Sequence, residues 1–410
     1  PLGGNAEQTF ENASQGKSGI DFITRFETAG LPCRIGGQVD DRWLFEEGSS
    51  EARALQPQLR GFHLIRKATH EAALQARLDT LTERDRIGCA IGFHASNPTI
   101  EDLVVLHRHY TEQGWDIAGL SKETGYSPEN FLWRKPDVSV SHLAREFTCS
   151  GPVLSVSSAC AAGSHAIGEA YRMIQSGKAD VIVAGGGDSQ LNFMGFIGFV
   201  LIKALAEKYT DPKKASRPFD RKRSGFVMSE GAGTVILEDL EHARSRNVPI
   251  LGELLGYGAS ADAYRITDTH PKGLGAIIAM EAAIEDASLT PDDIDYINAH
   301  GTSTAQNDLT ETVSIKTVFG ERAKKIPVSS NKSMIGHTIG AAGAIEAIMT
   351  LIGINRSILL PTINHEFPDT KCDLDYVPNE ARTVSHRRAI SNSFGFGGQN
   401  ACLCIGDYDG

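Results

Sequence analysis

The run SVSSACAAGSHAIGEAYRMIQSG, residues 155–177, decides how the rest of the chain is read. The preceding GPVLSV reads as a buried strand. AAGSHAIGEAYRMI carries apolar residues at helical spacing, and Gly177 stands where a helix would end. Cys160 sits at the junction. At a helix N-terminus the unpaired N–H groups and the positive end of the macrodipole stabilise a thiolate, so strand–Cys–helix is a place for a reactive sulfur. A lone cysteine is more often a packing residue. Here Ser158, Ala159, Ala161, Ala162 and Gly163 leave room for a substrate around the sulfur, which favours the reactive reading.

Working outward, 410 residues exceed one ordinary core, so either a large domain of two similar halves or two separate domains is expected. The composition, 41% hydrophobic and 22% charged, is that of a globular chain and excludes disorder. No uninterrupted apolar stretch of spanning length, basic leader or lipidation box is visible, which argues against membrane insertion and secretion and for the cytoplasm. The seven cysteines are scattered and odd in number, as expected of free thiols; Cys402 and Cys404 read as same-face packing residues of a strand. A net charge of −11 excludes a general nucleic-acid binder, and an acidic partner must meet a local basic patch. Arg60, Arg66, Lys67 and Lys203 are the candidates.

The first residues read as a loop and then a helix, and a chain opening at Pro1 without Met or a first strand looks as though it lacks N-terminal residues. Residues 52–81 are expected to be helical and 86–94 to form a strand. Residues 100–150 are less legible, with helical pieces around a polar, aromatic excursion (121–137). Next come a buried strand (179–189), an apolar stretch suited to lining a cavity (193–206) and a strand–helix pair (231–246). This alternation predicts α/β layers. The glycines at 185–187 carry neither a Walker nor a Rossmann pattern, which argues against nucleotide binding. From residue 250 the pattern restarts. SVSSAC…AIGEAYRMI and PVSSNK…GAIEAIMTLI share a strand, a Ser-Ser pair, a functional residue and a small-residue helix, so an internal duplication into halves 1–245 and 246–410 is expected, with Cys160 aligned to Lys332.

Three strand ends then carry side chains capable of chemistry: Cys160, NAHGTST with His300, and SSNKSMIGH with Lys332 and His337. In an α/β sheet such loops converge at the carboxyl ends of strands. Two imidazoles near one sulfur can donate to a developing oxyanion or enolate, and a lysine beside them can hold one neutral or anchor a carboxylate. The spacings match no zinc pattern.

SSACAAG around Cys160, ASRPFDRKRSGF (215–226), NAHGTST (298–304), SSNKSMIGHTIGAAGA (329–344) and SNSFGFGG (391–398) resemble, in order, the motifs of the elongating type II β-ketoacyl-acyl carrier protein synthases, thiolase-like condensing enzymes. The resemblance covers nearly the whole chain. It implies a thiolase-like α/β fold, two pseudo-equivalent βαβαβ halves layered α-β-α-β-α. It implies a ping-pong condensation in which Cys160 takes an acyl chain from a carrier-protein phosphopantetheine and a malonyl carrier then loses CO₂ and attacks it.

By the same resemblance His300 and His337 stabilise the enolate, and Lys332 orders the site through His337 and carboxylates such as Glu311, with Asp308 in support. The N–H groups of Cys160 and Phe396 form the oxyanion hole, and Phe396 gates an acyl pocket that includes Phe199. Thr302 and Thr304 bind pantetheine amides. Asn298, Glu346, Ser391 and Asn392 match positions holding a structural cation, and no other cofactor is implied. Acyl carrier protein is the implied partner, docking on Lys203, Arg60, Arg66 and Lys67, and a homodimer the implied assembly. A thiolase would need a second cysteine in the GFGG-like turn, which holds none.

The chain departs from the family pattern where Arg223-Ser224-Gly225 and Ser229-Glu230-Gly231 replace RDG and GEG, and across 100–150. The latter leaves a heterodimer open, and with it an alternative function as a non-catalytic or chain-length-determining partner subunit.

Overall fold

The computed structural model describes residues 1–44, 59–94, 96–123 and 132–410. Two sheets organise it. In the first, β1 (Ile87–Phe93), β2 (Val153–Val156), β3 (Val181–Ser189) and β4 (Glu230–Glu238) lie in the order β2-β1-β3-β4, the first three parallel and β4 antiparallel. The second contains β5 (Glu253–Ala261), β6 (Tyr296–Asn298), β7 (Val328–Ser329), β8 (Arg388–Phe394) and β9 (Gln399–Gly406). Its order β7-β6-β8-β9-β5 repeats the parallel trio and then adds two antiparallel strands. Among the described residues the first sheet has no counterpart of β5.

Helices on and between the sheets include α1 (Arg60–Gln75), α2 (Ala162–Gln175), α3 (Phe193–Leu201), α4 (Leu274–Asp286), α5 (Ala305–Phe319) and α6 (Ala342–Arg356). Strand alternation assigns side chains to separate cores. On β1, Ile87, Cys89 and Ile91 face α1 and the helix Pro136–Glu146, whereas Ala90 faces inward. On β9, Ala401, Leu403 and Ile405 face inward, and Cys402 and Cys404 pack outward against α4 and α5. Between the sheets lie α2 and α6, giving α-β-α-β-α. These central helices are built from small residues because they cross closely: a Cβ on Gly343 would stand 2.0 Å from Ser164 Oγ, and one on Gly163 3.0 Å from the Ala344 nitrogen. Residues 339–356, though interrupted by Glu346, have the length and mean hydropathy of a spanning helix, but 72% of that window is buried inside the fold.

The duplication is present in a different register from the one expected. Each half makes the same turn: a residue at positive φ (Ala159, +49°; Ile339, +48°), a 3₁₀ turn (Ala159–Ala161; Ile339–Ala341), then α2 or α6. CAAG (160–163) therefore matches GAAG (340–343), and Cys160 corresponds to Gly340, with Lys332 eight residues earlier. The helical pieces expected within 100–150 are the helix Ile100–Arg108, opened by a Thr99/Asp102 capping box, and Pro136–Glu146; after the first comes a hairpin pairing Tyr110–Thr111 with Gly114–Trp115. Part of the 121–137 excursion, and residues 52–58 of the first helical stretch, lie outside the described residues.

Candidate active site

The carboxyl ends of the parallel strands deliver the three expected groups to one point. Cys160, His300 and His337 are buried, and the sulfur and one ring nitrogen from each histidine all lie within 4.8 Å of one another. The rings stand edge to face, centroids 5.4 Å apart. Lys332, 1% exposed, places its ammonium 3.4 Å from His300 Nδ1. An ammonium only donates, so Nδ1 is the acceptor and the His300 proton sits on Nε2. Ile339 N–H donates to His337 Nδ1 at 3.3 Å, fixing the same tautomer there. Both rings thus carry their proton on Nε2, the nitrogen taken up by neither Lys332 nor Ile339. That is a pair of donors and not a metal-ligand set.

Electrostatics agree. Burial, then the Lys332 charge, holds both imidazoles well below their usual range, so they are neutral; His337 adds to this at His300 and His94 at His337. The Cys160 thiol corrects the sequence reading. Burial pushes it up to about 12, opposed by Lys332 and by the N–H groups of Phe396 and Cys160 itself. The resting sulfur is a thiol, because removal from water outweighs the helix terminus. The two N–H groups both point at the sulfur.

Lys332 reaches a different carboxylate from the one expected. It pairs with Glu346 on α6, not Glu311, and comes within hydrogen-bond distance of His300, while its charge also reaches His337. Glu311 instead accepts the N–H groups of His300 and Gly301, each at 2.8 Å, holding the loop that carries His300. Asp308 does the same for Phe219 and Ser303. Burial raises both carboxyls, Glu311 to about 7 and Asp308 to about 6. The Glu346 pairing had a signal: one acid inside the apolar run AAGAIEAIMTLIGI must find a buried cation.

Around the trio, Phe396 stacks on Phe199 (6.3 Å), Phe199 meets Phe226 edge on (5.4 Å), and Phe226 abuts His337 (5.2 Å). Gly397 and Gly398, at φ +87° and +75°, form the turn behind Phe396. The Thr302 and Thr304 hydroxyls are 3.0 Å apart, Thr304 also capping α5. Asn298 Oδ1, Glu346 Oε2, Ser391 Oγ and Asn392 Oδ1 are four buried oxygens without a hydrogen-bond partner. Asn298 stands opposite Ser391 in the β6–β8 register and donates to the Glu346 carbonyl at 3.2 Å. Such a set fits an oxygen-loving cation.

Arg60 is a correction. It is 3% exposed, its guanidinium held by Glu230 (2.7 Å) and Asp41 (2.7 Å), so it ties α1 to β4 and cannot meet a partner. Arg66 binds Glu146, while Lys67 and Lys203 are exposed. In the two altered motifs Ser229 Oγ donates to the Gly37 carbonyl at 2.9 Å, and the residues kept from the pattern hold long-range ties. Glu230 is the partner of Arg60, and Arg223 donates to Asp369 (2.8 Å) and the Thr304 carbonyl (3.2 Å).

Residues 1–243 match the family described as Beta-ketoacyl synthase, N-terminal domain, and residues 251–366 its C-terminal domain. The chain belongs to the β-ketoacyl synthase family. This synthase is 40% identical over 411 positions to the 3-oxoacyl-[acyl-carrier-protein] synthase 2 of Synechocystis sp., covering 100% of this chain and 95% of the relative. Among solved structures it resembles the ketosynthase of a complex described as a type II polyketide synthase acyl carrier protein with its ketosynthase bound to the hexaketide (TM-score 0.84, 32% identity, 99% and 96% of the two chains covered). It also resembles the ishigamide ketosynthase/chain length factor (TM-score 0.84, 31% identity, 99% and 96% covered). These likenesses carry the thiolase-like, layered fold.

Proposed function

We propose that this synthase extends an acyl chain by decarboxylative Claisen condensation, with acyl and malonyl carrier proteins as substrates. The observation that carries the reading is the convergence of two neutral imidazole N–H donors on a buried thiol. In the first half-reaction Cys160 sulfur bonds to the acyl carbon, the carbon–sulfur bond to pantetheine breaks, and the thiol proton goes to the departing sulfur. The oxyanion rests on the N–H groups of Phe396 and Cys160. In the second, malonyl thioester loses CO₂ and its enolate oxygen accepts from His300 and His337 Nε2. The enolate carbon bonds to the acyl carbon, the carbon–sulfur bond to Cys160 breaks, and the thiolate takes a proton from solvent water. Aimed donors of this kind are worth roughly 3–4 kcal/mol each in a dry site.

Lys332 keeps His300 neutral and in register, and Phe396, on its two-glycine turn, opens and closes the aromatic wall that includes Phe199. Thr302 and Thr304 are assigned to the pantetheine arm, and Lys203, with Lys67 further off, to the acidic carrier. Asn298, Glu346, Ser391 and Asn392 are assigned to a structural cation, whose charge would satisfy the four orphan oxygens without entering the reaction. A homodimer is supported by β2, an edge strand with Val153 47% exposed. The apolar side chains of 103–117, exposed at Val104 and Trp115, and the likeness to a ketosynthase/chain length factor keep a heterodimer in view. Seven free cysteines support a reducing, cytoplasmic setting. Intact mass after incubation with acyl carrier protein tests the assignment: one acyl group on Cys160 and a 3-oxoacyl product with malonyl carrier are expected, and turnover retained in Cys160→Ala would refute it.

A further inference from the structure

A second charged pair stands at the edge of the trio, where no motif places one. Asp188 lies near the end of β3, its side chain 3% exposed, and His94 directly follows β1, its side chain 29% exposed. The neighbouring parallel strands bring their ends together, and His94 Nδ1 lies 3.2 Å from Asp188 Oδ2, off the line of a hydrogen bond. The same oxygen accepts from Gly340 N–H at 3.0 Å, and Oδ1 accepts from Gln190 Nε2 at 2.9 Å. Gly340 is the counterpart of Cys160 in the duplicated turn, and it begins α6 just beyond His337. A Cβ there would stand 3.0 Å from Asp188 Oδ2 and 3.3 Å from His94 Nδ1, so the glycine makes room for this pair.

The pair is close enough to act on the trio. The Asp188 charge raises the Cys160 thiol, and the His94 charge lowers His337. The charged or titratable groups facing His94 are Asp188 from β3 and His337 from the turn before α6, with Lys332 beyond His337. Condensation builds negative charge on the enolate oxygen and returns it to the sulfur. A bare carboxylate at this distance opposes both events in a medium that screens poorly. An imidazolium beside it cancels that field and leaves the carboxylate free to hold Gly340 N–H.

We propose that His94 is a positioning residue that neutralises Asp188, so that Asp188 can anchor the Gly340 turn behind His337 without opposing negative charge at Cys160. The reading of the reaction above gives the direction of charge build-up, and the test is made on the thiol alone.

The whole chain, treated with iodoacetamide at pH 7, is followed by peptide mass spectrometry at Cys160, with thermal melting of each variant in parallel. If His94→Ala lifts the thiol by about one pKa unit, alkylation slows about tenfold. His94→Lys, which keeps the cation, stays within about threefold of the parent, and His94→Ala/Asp188→Asn regains most of the lost rate because no carboxylate remains to be neutralised. A merely structural role gives the opposite pattern, the double variant at least as slow as His94→Ala. That result overturns the proposal, as does an unchanged rate in His94→Ala or a His94→Lys as slow as His94→Ala. If Asp188→Asn does not fold, the two His94 variants decide. Failure of the parent protein to form 3-oxoacyl product would refute the assigned reaction and leave the alkylation result standing.

Discussion

Replacing His300 by alanine separates the two half-reactions, because they draw on different donors. The first places its oxyanion on the N–H groups of Phe396 and Cys160, neither of which depends on the His300 ring. The second needs the Nε2 protons of His300 and His337, each fixed by an acceptor role at Nδ1. Loss of one aimed donor costs about 3–4 kcal/mol at the enolate, or roughly 10²–10³ in the condensation rate. The fold retains its neighbouring ties: Lys332 keeps Glu346, and the His300 backbone keeps Glu311, so the damage stays local. Acyl transfer to Cys160, followed by intact mass with acyl carrier protein, should fall by less than about tenfold. Product formation with malonyl carrier should fall by the full amount. Equal losses in both steps would refute this division of donors and would mean that His300 acts on the thiol itself.

Three further outcomes follow from named contacts. Arg60→Ala leaves the Glu230 carboxylate buried without its main cation and should lower unfolding free energy by about 3–5 kcal/mol, read by urea denaturation, with the Michaelis constant for carrier protein unchanged. Lys203→Glu should raise that constant several-fold and leave turnover of a short pantetheine thioester unchanged; equal loss with both substrates would place Lys203 in the active site. Asp308 gives a pH signature. Its carboxyl is raised from 3.8 to about 6 by burial, so the folded state binds the extra proton and stability falls as pH climbs through that window. The loss is on the order of 3 kcal/mol, and denaturation of Asp308→Asn from pH 4 to 7 should lack it.

Much of the fold and the trio was legible because both are written locally. Apolar runs bounded by glycine mark the strands, and each of the three side chains follows one of them, so their convergence was legible; the run before Cys160, read as buried, is instead a part-exposed edge strand, because no further strand among the described residues covers it. What could not be read depends on distance across the fold. Arg60 looks like any solvated arginine until Glu230, far along the chain, is brought to it. Lys332 has several carboxylates within reach in sequence terms, and only the packing of α6 selects Glu346. The thiol's protonation depends on how completely the core excludes water, which a helix-terminus argument does not contain. The duplication was visible but aligned on Ser-Ser pairs, whereas the backbone repeats from the turn at Ala159 and Ile339, since the eight extra residues that carry Lys332 and His337 have no counterpart in the first half.

The match of Cys160 with Gly340 has a consequence for stoichiometry. Two copies of one turn, each at the start of a central helix, could in principle have made two nucleophiles, and the chain has kept a sulfur on only one. The second turn holds glycine at that position, and a Cβ there would press on Asp188 Oδ2 at 3.0 Å and His94 Nδ1 at 3.3 Å, so a side chain at Gly340 would have to displace this pair. The pair of turns thus offers one sulfur for an acyl load, while His337, in the segment just before the second turn, faces it from the other half. Labelling with a saturating acyl donor should plateau at one equivalent per chain, and a dimer at two, however long the exposure.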